Sequence, residues 1–151
     1  MAEIIPDEGL DYKLGVLYKG GTVDTTLYLG LFTSQTATTV PARTATGGAS
    51  PTGWTEMTAS SGSYARIALA TGDWGAPSTN GSGRKIALTA AKTFTGFVSA
   101  AAANGYFIAT NAASGAGDTI LAFANFDSGT ARSLATVSDQ LQVTPSMQLD
   151  G

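Results

Sequence analysis

The segment TTLYLGLFT, from Thr25 to Thr33, decides the fold. Successive side chains of an extended strand point to opposite faces, so its three leucines share one face while Tyr28 and Phe32 share the other. Because both faces carry apolar side chains, we expect this strand inside the protein, with other residues packed on each side. Gly30 leaves a notch on the aromatic face, where another side chain can approach closely.

Further strand-like runs follow along the chain, separated by turns rich in Gly, Ser, Asn and Pro. They predict a single all-β domain over 1–151, a β-sandwich or jelly roll of about eight or nine strands. In the last run, alternating apolar and polar residues predict one buried and one solvated face. Trp54–Thr58 is a weaker candidate, and Ala100–Ala103 could form a helical turn. The clearer runs are Tyr64–Ala70, Arg84–Thr89, Thr93–Ser99, Tyr106–Thr110, Thr119–Ala124, Arg132–Val137 and Leu141–Leu149.

One short N-terminal helix is predicted over 7–19. Pro6 and Asp7 favour its start, and the pair Gly20-Gly21 favours its end. Apolar residues at helical spacing form a stripe, which we expect to pack on the sheet or on a neighbouring molecule. The members of this stripe are Leu10, Leu14, Leu17 and Tyr18.

The segment 34–53 is polar and contains two prolines and three glycines. It is long for a loop of a compact domain. We therefore expect that it either contains a short strand or forms an extended arm that reaches a neighbouring molecule.

Composition excludes several classes of function. Only 13% of residues are charged, the net charge is −3, and the eight cations are scattered, which argues against nucleic-acid binding. The chain has no His and no Cys, so thiol chemistry and histidine-based catalysis are excluded, and we expect no cofactor and no metal. No apolar run is long enough to cross a membrane, and the N-terminal residues lack the features of a secretory signal. We therefore expect synthesis in a cytoplasm, without export by a cleaved leader.

Carboxylate chemistry remains possible, because a glycosidase needs only two acidic side chains. Four acidic residues are candidates, although aspartates at turn signals more often bond their own backbone. Exposed aromatic side chains near polar loops could stack on sugar rings, although we favour a place in the core for them. The acidic candidates are Glu56, Asp73, Asp118 and Asp127, and the aromatic ones are Trp54, Tyr64, Trp74 and Tyr106.

The order of several motifs resembles that of small virion structural proteins of tailed bacteriophages, which are head decoration (cement) or fibre-like proteins. The motifs are the apolar helix, LYLGLFT from Leu27, GSYARIA from Gly62, YFIAT from Tyr106, ILAF from Ile120 and LQV from Leu141. This resemblance implies a β-sandwich without catalysis, present in many copies on a particle. It leaves open whether the copies lie on the head or the tail, and it brings no active site.

We therefore expect a capsid decoration protein on the virion surface that binds the lattice of the major capsid protein and forms a dimer or trimer. The alternative is a tail-fibre or adhesin module that binds a host surface glycan, and a small glycoside hydrolase is the weakest reading. The candidate interface residues are Leu10, Leu14, Tyr18, Trp54, Tyr64, Arg66 and Trp74.

Overall fold

The computed structural model describes residues 3–33, 41–58, 64–81, 83–97, 101–126, 131–134 and 136–149. These ranges contain one α-helix, α1 (Asp7–Lys19), and twelve short strands. The all-β prediction is confirmed, with more and shorter strands than expected. The strands are β1 (Glu3–Ile4), β2 (Thr26–Phe32), β3 (Ile67–Ala70), β4 (Ser78–Thr79), β5 (Lys85–Leu88), β6 (Lys92–Phe94), β7 (Ala101–Ala103), β8 (Gly105–Ala109), β9 (Ile120–Asn125), β10 (Arg132–Leu134), β11 (Leu141–Val143) and β12 (Ser146–Leu149).

A five-stranded sheet organises the described chain, in the order β1-β9-β8-β2-β3. All of its pairs are antiparallel, and β8 and β9 form a hairpin with a register shift between Ile108 and Ala109. The remaining strands form smaller sheets, namely β10-β7, β11-β6 and β12-β5-β4. Strand β2 thus has a hydrogen-bonded neighbour along each of its two edges.

Two hydrophobic clusters cover the two faces of the large sheet. On one face, Leu29 and Leu31 of β2 belong to a core that also contains Phe94, Leu134 and Leu141 from β6, β10 and β11. This packing of the smaller sheets on the large one gives the two layers of a β-sandwich. On the opposite face a second core gathers around aromatic rings, and its members are Phe32, Ala45, Trp54, Phe107, Ala109, Ile120 and Phe123.

The notch predicted at Gly30 is occupied by the ring of Phe107. The two residues lie directly opposite each other in the β2–β8 ladder. A Cβ on Gly30 would overlap that ring, and Phe107 is fully buried. Gly30 is therefore required because the ring of Phe107 on the neighbouring strand packs against it.

Helix α1 has the predicted bounds, but it binds the sheet through residues that carry no hydrophobic signal. A carboxylate oxygen of Glu8, Oε1, accepts the backbone N–H groups of Gly47 at 2.8 Å and Ile120 at 2.6 Å. Gly9 is buried against β9, and a Cβ there would lie 2.8 Å from the carbonyl oxygen of Ile120. Close backbone approach at Gly9 and the half-buried carboxylate of Glu8 therefore place the helix on β9.

The apolar stripe of α1 faces solvent, so the prediction that it packs on the sheet is wrong. The exposed fractions are 53% for Leu14, 71% for Leu17 and 80% for Tyr18, and Leu10 is half-buried. The side of α1 that meets the protein carries Gly9 and the half-buried Tyr12, whose ring packs against the main core. The other alternative, a neighbouring molecule that covers the stripe, stays open.

The described part of the long polar segment, 41–53, is a loop folded back on the sheet rather than an arm. Pro41, Ala45 and Gly47 are buried, and a single bridge pairs Thr46 with Thr52. Residues 34–40 lie outside the described ranges. A loop so placed covers the second core because it supplies Ala45 and positions the adjacent Trp54.

Three predicted secondary-structure assignments, two strands and one helical turn, change in detail. The run Leu141–Leu149 alternates between buried and exposed side chains over 141–145, and it divides into β11 and β12, which lie in different sheets on either side of Pro145. Proline has no N–H for a ladder, which explains the break. Ala101–Ala103 is a strand, not a helical turn, and of the candidate Trp54–Thr58 only Glu56 forms a bridge, to Phe32.

Candidate functional site

Arg66 lies at the centre of a buried ionic cluster. Its guanidinium forms two parallel hydrogen bonds with Glu56, from Nε to Oε1 and from Nη2 to Oε2, both 2.8 Å long. Its Nη1 donates to Asp118 Oδ2 at 3.0 Å and to the carbonyl oxygen of Asn111 at 2.7 Å. The side chain of Arg66 is 1% exposed, that of Asp118 is 0% exposed and that of Glu56 is 19% exposed. The cluster thus joins three segments that are distant in sequence.

Two further groups complete the cluster. The Tyr64 hydroxyl donates to Glu56 Oε1 at 2.9 Å and accepts the backbone N–H of Leu31 at 3.0 Å. Asp118 Oδ1 accepts the N–H of Asn111 at 3.2 Å. All four carboxylate oxygens therefore have partners, as buried charges require. The guanidinium also lies 4.9 Å from the centre of the Phe107 ring, within range of a cation–π contact.

The environment shifts the pKa values of these groups in opposing ways. Burial lowers the pKa of Arg66, but the carboxylates of Glu56 and Asp118 more than offset this and raise it above its usual value. Burial raises the pKa of Asp118, against the lowering effect of Arg66 and the Asn111 N–H. Burial and the adjacent Glu56 charge raise the pKa of Tyr64 far above its usual value. The fold thus favours a protonated arginine and a neutral tyrosine.

This geometry makes the cluster a structural anchor. A catalytic acid must reach substrate with a proton, whereas the Asp118 side chain is fully enclosed and its oxygens are taken. Two of the four acidic candidates, Glu56 and Asp118, thus meet through Arg66. Asp118 also accepts the N–H of Asn111, seven residues earlier, rather than a backbone group of its own turn. Asp73 instead binds Lys92 at 2.8 Å and the Ala70 N–H at 2.9 Å. Asp127 lies outside the described residues.

We expect the Tyr64 hydroxyl to make the free energy of unfolding fall as pH rises through the alkaline range. The folded-state pKa of Tyr64 is raised above its unfolded value near 10, so its contribution is full below about pH 10 and is lost as pH rises further. Tyr64→Phe should cost about 1–3 kcal/mol at about pH 8, because Glu56 and the Leu31 N–H each lose a partner. The difference from the parent protein should shrink towards about pH 11.

Urea unfolding at several pH values measures this effect. Tyr18→Phe is the matched control, since Tyr18 is 80% exposed, and its stability should follow that of the parent protein. A stability difference for Tyr64→Phe that stays constant across the alkaline range would contradict the assignment.

A second feature, the exposed face of α1, is a candidate interaction surface. We call Leu14, Leu17, Tyr18 and the nearby Val23 the α1 face, because all four side chains are more than half exposed. Next to it lies an apolar groove of about 310 Å³ between α1 and β5, lined by Tyr12, Lys13, Val16, Leu17, Pro77, Lys85, Ile86, Ala87 and Met147. Adjoining exposed apolar side chains of this kind are typical of surfaces that bind another protein.

The predicted interface residues fall into three groups. Leu14 and Tyr18 are exposed on α1, beside the half-buried Leu10. Tyr64 and Trp74 are half-buried and pack against the main core. Trp54 and Arg66 are buried, at 5% and 8% exposed. Trp54 packs against the rings of Phe107 and Phe123 and donates its indole N–H to Thr46, so it does not offer a face for a sugar to stack on.

Comparison of the chain with protein-family models, with characterised proteins and with solved structures finds no significant match. Within the described ranges, no group of three or more His, Cys, Asp or Glu side chains could hold a metal ion. No helix in those ranges combines the length and the apolar character that a membrane crossing requires. The α1 face is therefore the surface on which a functional proposal can be based.

Proposed function

We propose that this chain is a non-enzymatic virion structural protein, a capsid decoration protein that binds the lattice of the major capsid protein through the α1 face. The observation that carries the proposal is the exposure of Leu14, Leu17 and Tyr18 on a helix whose opposite side is fixed to the sheet. The order of sequence motifs is similar to that of small tailed-phage virion proteins, and this resemblance is the reason for proposing the major capsid protein as the partner.

Two properties of the chain support this role. Few charged groups must lose water when the surface is covered, since only 13% of residues are charged. The helix is held rigidly by Glu8 and Gly9, so little conformational entropy is lost when it binds. Many weakly bound copies, or a dimer or trimer that bridges capsid subunits, would then raise the cost of separating those subunits.

Charge placed on the α1 face should weaken capsid binding strongly and leave the fold intact. Leu17→Glu puts a carboxylate on a side chain that is 71% exposed in the free protein, so stability should change by less than about 0.5 kcal/mol. If a partner covers Leu17, losing its burial should weaken binding about 10- to 100-fold. Val137→Glu is the matched control, because Val137 is 67% exposed and lies outside the α1 face.

The measurement is co-sedimentation of purified protein with capsids that lack it, together with the copy number of the chain in purified particles. We expect saturable binding at a fixed ratio to the capsid protein, strongly weakened in Leu17→Glu and kept in Val137→Glu. A copy number far below that of the capsid protein, or equal binding by both variants, would refute the proposal. Binding of host polysaccharide instead of capsids would favour the glycan-binding module.

A further inference from the structure

The dipeptide Asn-Gly occurs twice in the chain, at 80–81 and at 104–105. Asparagine is a chemically labile residue, and its side-chain amide is most open to attack by the next backbone nitrogen when glycine follows, because glycine has no side chain to shield that nitrogen. The fold places the two copies in opposite environments. Those environments therefore decide which copy can react.

Asn80 begins the loop that joins β4 to β5. Its backbone N–H donates to the carbonyl oxygen of Arg84 at 2.9 Å, and its side-chain oxygen, Oδ1, accepts the N–H of Arg84 at 3.0 Å. Asn80 is half-buried, and Gly81 is exposed. A Cβ added to Gly81 would meet nothing within 4 Å. The backbone after Asn80 therefore lies in open space, while the Asn80 side chain is held by a backbone donor.

Asn104 lies in the opposite environment, inside the protein. It is 5% exposed, its N–H donates to the carbonyl oxygen of Phe32, and its own carbonyl oxygen accepts the N–H of Phe126. Gly105 begins β8, and a Cβ there would overlap the carbonyl oxygen of Ala124 and the ring of Phe32. A reaction at Asn104 therefore requires the surrounding core to open first.

We infer that Asn80 is a site of spontaneous deamidation, which converts its amide to a carboxylate. Hydroxide removes the proton of the Gly81 N–H, and the nitrogen attacks Cγ of Asn80 to form a five-membered succinimide ring. Negative charge develops on Oδ1, which the Arg84 N–H already binds, so this donor stabilises the tetrahedral intermediate. The Cγ–Nδ2 bond breaks, and Nδ2 takes a proton from water and leaves as ammonia. Water then opens the ring at either carbonyl group and gives aspartate or isoaspartate.

The product changes the β4–β5 hairpin in two ways. Each reaction lowers the net charge of the chain, which is −3, by one. Isoaspartate also adds one carbon to the backbone directly after β4, where Thr79 pairs with Lys85. The former side chain then lies in the main chain and no longer offers Oδ1 to the Arg84 N–H in the same position. This inference does not rest on the proposed function.

Peptide mapping by mass spectrometry tests the inference on the folded full chain, after incubation in a mildly alkaline buffer. We expect Asn80 to react at least about tenfold faster than Asn104, because Asn104 reacts only when the core around it opens. In urea that unfolds the chain, the two sites should react at similar rates, since each is then an exposed Asn-Gly dipeptide. Enzymatic methylation of the isoaspartyl carboxylate identifies the product at 80–81.

Gly81→Ala is the matched variant, since its methyl group has open space and Gly81 does not adopt the left-handed conformation. Its urea unfolding should match that of the parent protein, and Asn80 should react about tenfold more slowly, because the new side chain hinders attack by its own nitrogen. Equal rates at Asn80 and Asn104 in the folded chain would overturn the inference. So would an Asn80 that reacts only in urea, or a Gly81→Ala variant that reacts as fast as the parent.

Discussion

Arg66→Ala is expected to cost about 3–5 kcal/mol of folding free energy, the loss typical of a buried ion pair deprived of one partner. Without the guanidinium, the enclosed Asp118 carboxylate and the Glu56 carboxylate remain beside each other without a compensating cation. The substitution also removes the donor to Asn111 and the cation above the Phe107 ring. Urea unfolding at neutral pH measures the loss.

Arg43→Ala is the matched control for this prediction. Arg43 also pairs with an aspartate, Asp7, at 3.1 Å, but the two side chains are 62% and 59% exposed. An exposed pair contributes at most about 1 kcal/mol, so the control should be much milder. Equal losses for the two variants would show that the buried cluster does not anchor the fold. Arg66→Lys should fall between them, because an ammonium cannot reproduce the double hydrogen bond to Glu56.

Gly30→Ala is expected to destabilise the protein by about 1–3 kcal/mol or more, through overpacking of the second core. The added methyl group would occupy the space of the Phe107 ring, and that ring is held between Trp54 and Phe123. Because neighbouring rings surround it, Phe107 cannot move away without disturbing them. Thermal and urea unfolding both report the loss.

A second substitution separates this steric effect from a general intolerance of alanine. Gly30→Ala combined with Phe107→Leu should lose less stability than the sum of the two single variants, because the smaller side chain makes room for the methyl group. Gly15→Ala is the control, since a Cβ there meets nothing within 4 Å, and it should raise stability by up to about 1 kcal/mol. Strict additivity in the Gly30 and Phe107 pair would contradict the overlap.

The sequence predicts those structural features that depend on residues close together along the chain. The bounds of α1 follow from Pro6 and from Gly20, which adopts the left-handed conformation with φ 68°. The two apolar faces of β2 and the notch at Gly30 follow from the alternation of side chains. In each case the residues that decide the structure are neighbours in sequence, so the pattern is visible without knowledge of the fold.

Features that depend on distant contacts were not predictable in this way. The apolar stripe indicated that α1 packs through its leucines, whereas Glu8 and Gly9 hold it through partners about forty and more than one hundred residues away. Glu56 and Asp118 were recognisable as candidate acids, but only the fold brings both to Arg66, ten and fifty-two residues from it. A charged residue in a strand-like run gives no local sign that it will be buried.

The order of strands in the large sheet constrains when the protein can fold during synthesis. Strand β1 borders β9, and β2 borders β8, so the two earliest strands have partners that the ribosome makes about 120 and about 75 residues later. Non-local pairing of this kind slows folding, because the chain must lose the conformational entropy of closing long loops before the stabilising contacts can form. The nascent chain must therefore keep the apolar run of β2 from aggregating until more than one hundred residues have left the ribosome.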